Sequence, residues 1–143
     1  MSDGVLHSGH CHCGRVSATF RTTEQAVKAR ACQCDFCRRH GSKTVTDTDG
    51  FAEIIADGSL SRYHFGLMTA DYLMCPKCGT YVACVIKADG IERLSLNAAG
   101  LQMAPWADAL AEPVDYSTET LHERLERRRA RWTPGRVRQR VPA

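Results

Sequence analysis

No apolar run in the sequence approaches the roughly 18–20 residues that cross a bilayer, which argues against a membrane-spanning helix. Residues 1–10, MSDGVLHSGH, lack a basic segment followed by an apolar stretch, so no secretory leader is expected. The reducing cytoplasm is therefore the expected compartment. There is no alternation of strand and helix patterns, which argues against a parallel βαβ sheet. No segment recurs with a period of 20–50 residues, and no low-complexity block precedes the C-terminal tail. These absences leave an ordinary soluble domain. The 143 residues are enough to bury one core, and 43% apolar with 24% charged residues is a globular composition.

The net charge of +3 is unevenly placed. Residues 121–140 carry eight Arg against two Glu, a local balance of +6, which leaves −3 for the rest. The mainly β pattern occupies the first hundred residues. The segments 15–20, 51–56, 59–65, 80–86 and 90–96 are rich in β-branched and aromatic residues. Asp-Gly pairs at 49–50, 57–58 and 89–90 are each a hairpin signal. After Gly100 the pattern changes. Leu121, Leu125 and Trp132 form one stripe, so a helix is predicted over about 118–131, capped by Ser117 or Thr118 and ended by Pro134-Gly135. Residues 134–143 are expected to fray. The domain reading is a β domain over 1–115, with the Arg-rich helix and tail of 116–143 packed on it or extending from it.

Eight cysteines in a reducing compartment point to metal or catalysis before disulfides. Seven of them cluster: Cys11-x-Cys13, Cys32-x-Cys34-x-x-Cys37 and Cys75-x-x-Cys78. In CPKCG, Pro76 presets φ after the first thiol and Gly79 permits positive φ after the second, so both sulfurs can aim at one point. A Cys-x-Cys pair on a straight strand cannot converge, and needs a bend that Gly14 and Gly9 can supply. Soft thiolates without oxygen ligands favour zinc, with an iron–sulfur cluster as the alternative. The seven divide naturally into a closed four, Cys11, Cys13, Cys75 and Cys78, and an open three, Cys32, Cys34 and Cys37. Spacing alone does not impose this division. The fourth position at the trio is left to water, a histidine (His10, His12 or His40) or an outside thiol. Cys84, in a strand pattern with Val82 and Ile86, is expected to be a buried small hydrophobe.

The stretches GHCHCGRV, CQCDFCRRHGS, CPKCGT and LSLNAAGL, in this order, resemble the glutathione-dependent formaldehyde-activating enzymes, a family that includes domains like centromere protein V. The resemblance runs over roughly residues 8–101. It implies a β-tent of short antiparallel sheets organised by two zinc ions per chain. It places the structural zinc on Cys11, Cys13, Cys75 and Cys78, and the catalytic zinc on Cys32, Cys34 and Cys37. The implied reaction is a carbon–sulfur lyase run in reverse, joining glutathione to formaldehyde. Family members carry an aromatic residue close before the last Cys-x-x-Cys, where this chain has Met74, and the Arg-rich helix lies outside the shared pattern.

Arg38 and Arg39 are candidates for pairing with glutathione carboxylates, because a guanidinium fork matches a carboxylate. Ser42 and Asn97 are further substrate-binding candidates, with turn satisfaction as their simpler role. Two rival readings stay open: the same fold acting on another thiol adduct, and a non-catalytic zinc-stabilised binding module. The basic helix is read as solvated or as a contact between copies in a homo-oligomer rather than as a nucleic-acid surface. Trp132 is the only aromatic among its arginines, and Glu123 and Glu126 pair with Arg127 and Arg129 at helical spacing.

Overall fold

The computed structural model describes residues 4–23, 27–66 and 69–140. In chain order the elements are β1 (Val5–His10), β2 (Val16–Thr22), β3 (Arg30–Cys32), α1 (Asp35–His40), β4 (Thr44–Val45), β5 (Phe51–Asp57), β6 (Ser61–Tyr63), β7 (Asp71–Met74), β8 (Tyr81–Ala88) and β9 (Ile91–Asn97). There follow α2 (Ala98–Leu101), a 3₁₀ turn (Trp106–Asp108), β10 (Glu112–Val114), α3 (Leu121–Arg131) and β11 (Thr133–Arg140). Among the described residues no helix is long and apolar enough to cross a membrane.

The protein is mainly β, and its sheet branches at β9 instead of closing. One path runs β1-β2-β5-β11-β9-β4-β3-β10, and β9 also pairs with β8, which leads through β7 to β6. The branch arises because β4 and β11 share one edge of β9 in succession. β11 covers Glu92, Arg93 and Leu94, and β4 covers Leu96 and Asn97. Half-buried strands alternate as expected: Val16, Ala18 and Phe20 of β2 face Ala56, Ile54 and Ala52 of β5 on the inner side. With Val82, Leu94, Leu96, Leu101 and Met103 they make the main core. Each large apolar side chain buried there contributes roughly 1.5–3 kcal/mol. Residues 81–86 of β8 are buried on both faces, because a second small cluster of Ala70, Cys84, Ile86 and Trp132 covers the outer one.

Asp89-Gly90 forms the predicted hairpin between β8 and β9, both residues at positive φ (56° and 78°), as a type I′ turn requires. Of the other two Asp-Gly pairs, Asp49-Gly50 leads into β5 and Asp57-Gly58 ends it, and β5 pairs with neither β4 nor β6, so both are turns without hairpins. Most ladders are antiparallel, but β3–β10 and β5–β11 are parallel. These arise from long excursions of the chain and not from βαβ units.

The C-terminal region departs most from expectation. The helix starts at Leu121, and its cap is Thr120. Thr120 Oγ1 accepts from Glu123 N at 3.1 Å, and Thr120 N donates to Glu123 Oε1 at 2.9 Å. That is a capping box, which outcompetes the bare hydroxyls of Ser117 and Thr118 by satisfying two backbone N–H donors together. Leu121 and Leu125 are exposed, and Arg128 and Trp132 are the buried positions. Over 134–140 the predicted frayed end is instead β11, inserted between β5 and β9, and 141–143 lie outside the described residues. Its charged side is satisfied by acidic neighbours: Arg136 and Arg138 reach Glu53 at 3.6 and 3.5 Å, and Arg140 reaches Asp57 at 3.9 Å.

Glu119 ties α3 down. It accepts from Arg127 at 2.7 and 3.0 Å and from Arg124 at 3.5 Å, and Arg127 also lies over the Tyr116 ring at 3.5 Å. Hydrogen bonding from Arg127 holds the Glu119 carboxyl below its ordinary range.

Two outcomes follow from β11 and Glu119. A Cβ at Gly135 would run into the Ala52 carbonyl oxygen. Gly135→Ala should therefore cost roughly 1–3 kcal/mol in urea unfolding, where a frayed tail would show no change. Because the folded pKa of Glu119 is depressed, its contribution is complete above the unfolded value of about 4.3 and fades as pH falls through the lower folded value. Glu119→Gln should lower stability at pH 7 by roughly 1–3 kcal/mol and flatten the acid limb of the stability–pH curve.

Candidate metal centres

Two turns from distant parts of the chain build the first cysteine group. Cys11 and Cys13 lie in the β1–β2 turn, where Gly14 (φ 84°) donates its N–H to Cys11 O at 3.0 Å. Cys75 and Cys78 lie in the β7–β8 turn, where Gly79 (φ 77°) donates to Cys75 O at 2.8 Å. Each glycine takes a left-handed conformation that turns the backbone around the sulfurs. Gly9 supplies no bend. It stays extended in β1, opposite Ala18, and its missing side chain makes room for the Leu101 carbonyl. Cys11 Sγ and Cys13 Sγ are 3.8 Å apart, and Cys13 Sγ and Cys75 Sγ 3.6 Å. All four sulfurs lie within 4.8 Å of one another. A tetrahedral ion with metal–sulfur bonds of about 2.3 Å needs sulfurs about 3.8 Å apart, so the four fit a closed metal site.

Cys32, Cys34 and Cys37 form the second group, their sulfurs also within 4.8 Å of one another. Cys32 ends β3, Cys34 caps α1, and Cys37 sits in its first turn with its N–H pointing at Cys34 Sγ at 3.4 Å. Phe36 fixes this short helix. Its ring meets Tyr63, Phe65, Tyr72 and Tyr81 at centroid distances of 4.8–5.8 Å, which anchors α1 to β6–β8. Hydrogen bonds from Cys32 and then Cys37 hold the Cys34 thiol well below its ordinary range, and the Cys32 and Cys34 thiols push Cys37 up. One negative charge is thus easily held, and full deprotonation of all three needs a cation. The donor set is soft and fits a divalent metal such as zinc. Among the described residues no fourth Cys, His, Asp or Glu joins the trio.

The trio opens into a cavity of about 390 Å³. Phe65, Tyr72, Tyr81 and Trp132 give it aromatic walls, and Arg124, Arg127 and Arg128 of α3 line its other side. Burial pushes the Tyr72 and Tyr81 hydroxyls up, so both stay neutral phenols. Cys84 also lines the cavity, buried as expected, with its thiol pushed up to about 12 by burial.

The remaining sequence candidates lie elsewhere. Arg38 and Arg39 are exposed on α1 and pair with Asp35 at 3.9 and 3.0 Å, and neither lines the cavity. Ser42 is buried, its hydroxyl facing Cys37 O at 3.4 Å. Asn97 is buried between strands. It accepts from Lys43 N at 3.0 Å and donates to Tyr81 O at 2.9 Å. His40 packs on Phe36 and Tyr81. Sequence reasoning missed Phe36, the aromatic walls and the arginines of α3. The only available signal was Phe36 inside the CDFC turn, because the rest depends on which distant strands meet.

Comparison with known proteins agrees with this layout. A curated-protein search finds no match. A crystal structure of a Rhodobacter sphaeroides protein, a structural-genomics target, is similar at 29% identity and a TM-score of 0.58. The similarity covers 75% of this chain and 99% of that one. The family described as glutathione-dependent formaldehyde-activating enzyme matches residues 6–112, which include all seven clustered cysteines and stop short of α3. With three-quarters of its length matched and both cysteine groups assembled, the chain belongs to the glutathione-dependent formaldehyde-activating enzyme family.

Proposed function

We propose that the chain binds two zinc ions, a structural one on Cys11, Cys13, Cys75 and Cys78 and a catalytic one on Cys32, Cys34 and Cys37, and adds a glutathione-like thiol to formaldehyde or a related small carbonyl. The reaction is that of a carbon–sulfur lyase in the synthetic direction: the sulfur bonds to the carbonyl carbon, and the thiol proton ends on the new hydroxyl. Zinc at the trio supplies positive charge that favours the thiolate over a free thiol of pKa about 8.5. The observation that carries this reading is a three-thiol group at the floor of a cavity, with no fourth protein ligand among the described residues.

The chain's own residues do the rest. Phe65, Tyr72, Tyr81 and Trp132 exclude water and hold the two reactants together, which supplies proximity. Tyr72, a neutral phenol, is available to hydrogen-bond the carbonyl oxygen as charge develops there. A cavity of this volume is far larger than formaldehyde, which favours a sizeable thiol over a non-catalytic module. Internal pairing of the basic segment weakens the nucleic-acid reading: Arg124, Arg127, Arg129, Arg136, Arg138 and Arg140 all have acidic partners. The proposed substrate is a dissolved thiol of the cytoplasm.

Elemental analysis should find two zinc ions per chain. Cys75→Ala should lose one and destabilise the fold by at least ~3 kcal/mol, while Cys34→Ala should lose one and keep the melting transition nearly intact. Because bound sulfurs are deprotonated, both ions should leave as pH falls. The catalytic reading is tested on cobalt-substituted protein. Glutathione should intensify the sulfur-to-metal absorption in wild type but not in Cys34→Ala, and NMR with labelled formaldehyde should show faster adduct formation. Titrating cysteine and coenzyme A in parallel identifies the preferred thiol. A spectrum unmoved by every thiol refutes the reading.

A further inference from the structure

Arg128 is a buried cation without an anion. It is only 5% exposed, the one arginine or lysine in the core among the described residues. Its Nη1 donates to Thr69 Oγ1 at 2.7 Å, and its guanidinium lies 4.9 Å from the Trp132 ring centre. Neither partner carries a charge. Its Nε has no hydrogen-bond partner, and among the described residues no carboxylate pairs with it. Burying a guanidinium this way is costly unless something else supplies the negative charge.

The surroundings show where that charge is received. Arg128 lines the cavity that holds the cysteine trio. Arg30, Arg124 and Arg127 line it too, and among the described residues Asp115 is the only acidic one in its wall. Glu119, behind the wall, is shared between Arg124 and Arg127, one carboxylate for two guanidinium groups. The cavity therefore carries a surplus of cations, and the most buried of them keeps an Nε–H that is unpartnered and shut away from water.

We propose that this cavity is a carboxylate pocket, in which Arg128 receives a carboxylate of the thiol substrate while the sulfur lies at the trio. The inference rests on the thiol reading above and narrows it: the substrate is an anionic thiol, and neutral thiols are poor ones. Arg128 lies in α3, beyond the residues matched by the family, so the selectivity belongs to this chain's C-terminal region. The Trp132 face holds the guanidinium plane and the Thr69 hydroxyl fixes its rotation through Nη1, so an incoming carboxylate meets the part of the guanidinium that lines the cavity and supplies the charge that the buried Nε–H side lacks.

The test uses S-methylglutathione, whose blocked sulfur cannot become a thiolate, and its dimethyl ester, titrated calorimetrically into the zinc-loaded chain. The free acid should bind about 10- to 100-fold more tightly than the ester, the range of a charge-assisted hydrogen-bonded pair. Arg128→Gln should shrink the preference to within about threefold, and Arg128→Lys should keep part of it, with circular dichroism reporting the fold of each. In wild type, the slowly exchanging arginine Nε–H signal in ¹⁵N NMR should shift with the acid and not with the ester, a readout that needs no variant. Equal binding of acid and ester, an unmoved Nε–H signal, or a folded Arg128→Gln that keeps the full preference each overturns the pocket. The cobalt spectrum separates the two claims. Acid-selective binding with a spectrum blind to glutathione leaves the pocket standing and fells the thiol reading. A responsive spectrum with equal probe binding does the opposite.

Discussion

Convergence of four sulfurs from two distant turns is the constraint on which this structure turns. Cys13 and Cys75 are 62 residues apart in the chain, yet their sulfurs stand 3.6 Å from each other. Four deprotonated thiols at such spacing are compatible only with a cation between them. Held together, they clamp the β1–β2 turn to the β7–β8 turn. That clamp sets the start of β8, which places Tyr81 and Cys84 in the wall of the cavity at the Cys32–Cys34–Cys37 trio. The closed group and the open group are thus one mechanical system: the first determines where the scaffold meets the second.

Aromatic packing completes what the sulfurs begin. α1 has only six residues and would not persist alone. Phe36 supplies its docking energy by inserting among Tyr63, Phe65, Tyr72 and Tyr81. The side chain that orients Cys34 and Cys37 lies between them in sequence, so the CDFC segment carries both the ligands and their anchor.

The cysteine groups were legible in the sequence because their information is local. Cys-x-Cys followed by Gly14 and Cys-x-x-Cys followed by Gly79 encode tight turns that need no knowledge of the rest of the chain. The Asp89-Gly90 hairpin was legible for the same reason. The parts that sequence reading missed are encoded non-locally. β11 has one clearly apolar position, Val137, amid arginines, and becomes a strand only because Glu53 and Asp57 wait beside it on β5. Leu121 and Leu125 suggested an apolar stripe, but the covered side of α3 belongs to Arg128, whose burial no hydropathy pattern anticipates. The capping box at Thr120 and Glu123 is a local signal too, four residues long, and it competes in the sequence with the hydroxyls of Ser117 and Thr118 just before it. Arg38 and Arg39 are close in sequence to Cys37, whereas three of the arginines that line the cavity, Arg124, Arg127 and Arg128, lie far along the chain in α3.

The position of β11 bears on synthesis as well as on stability. It is translated after every other described strand, yet it fills the gap between β5 and β9 in the middle of the sheet. While a ribosome is still making α3, β5 and β9 each show a bare backbone edge, and the cysteine turns have no finished frame around them. Nascent chains therefore pass through a stage in which unpaired strand edges and reactive thiols are exposed together. A metal ion taken up before the last strand docks would withhold those thiols from oxidants and from one another.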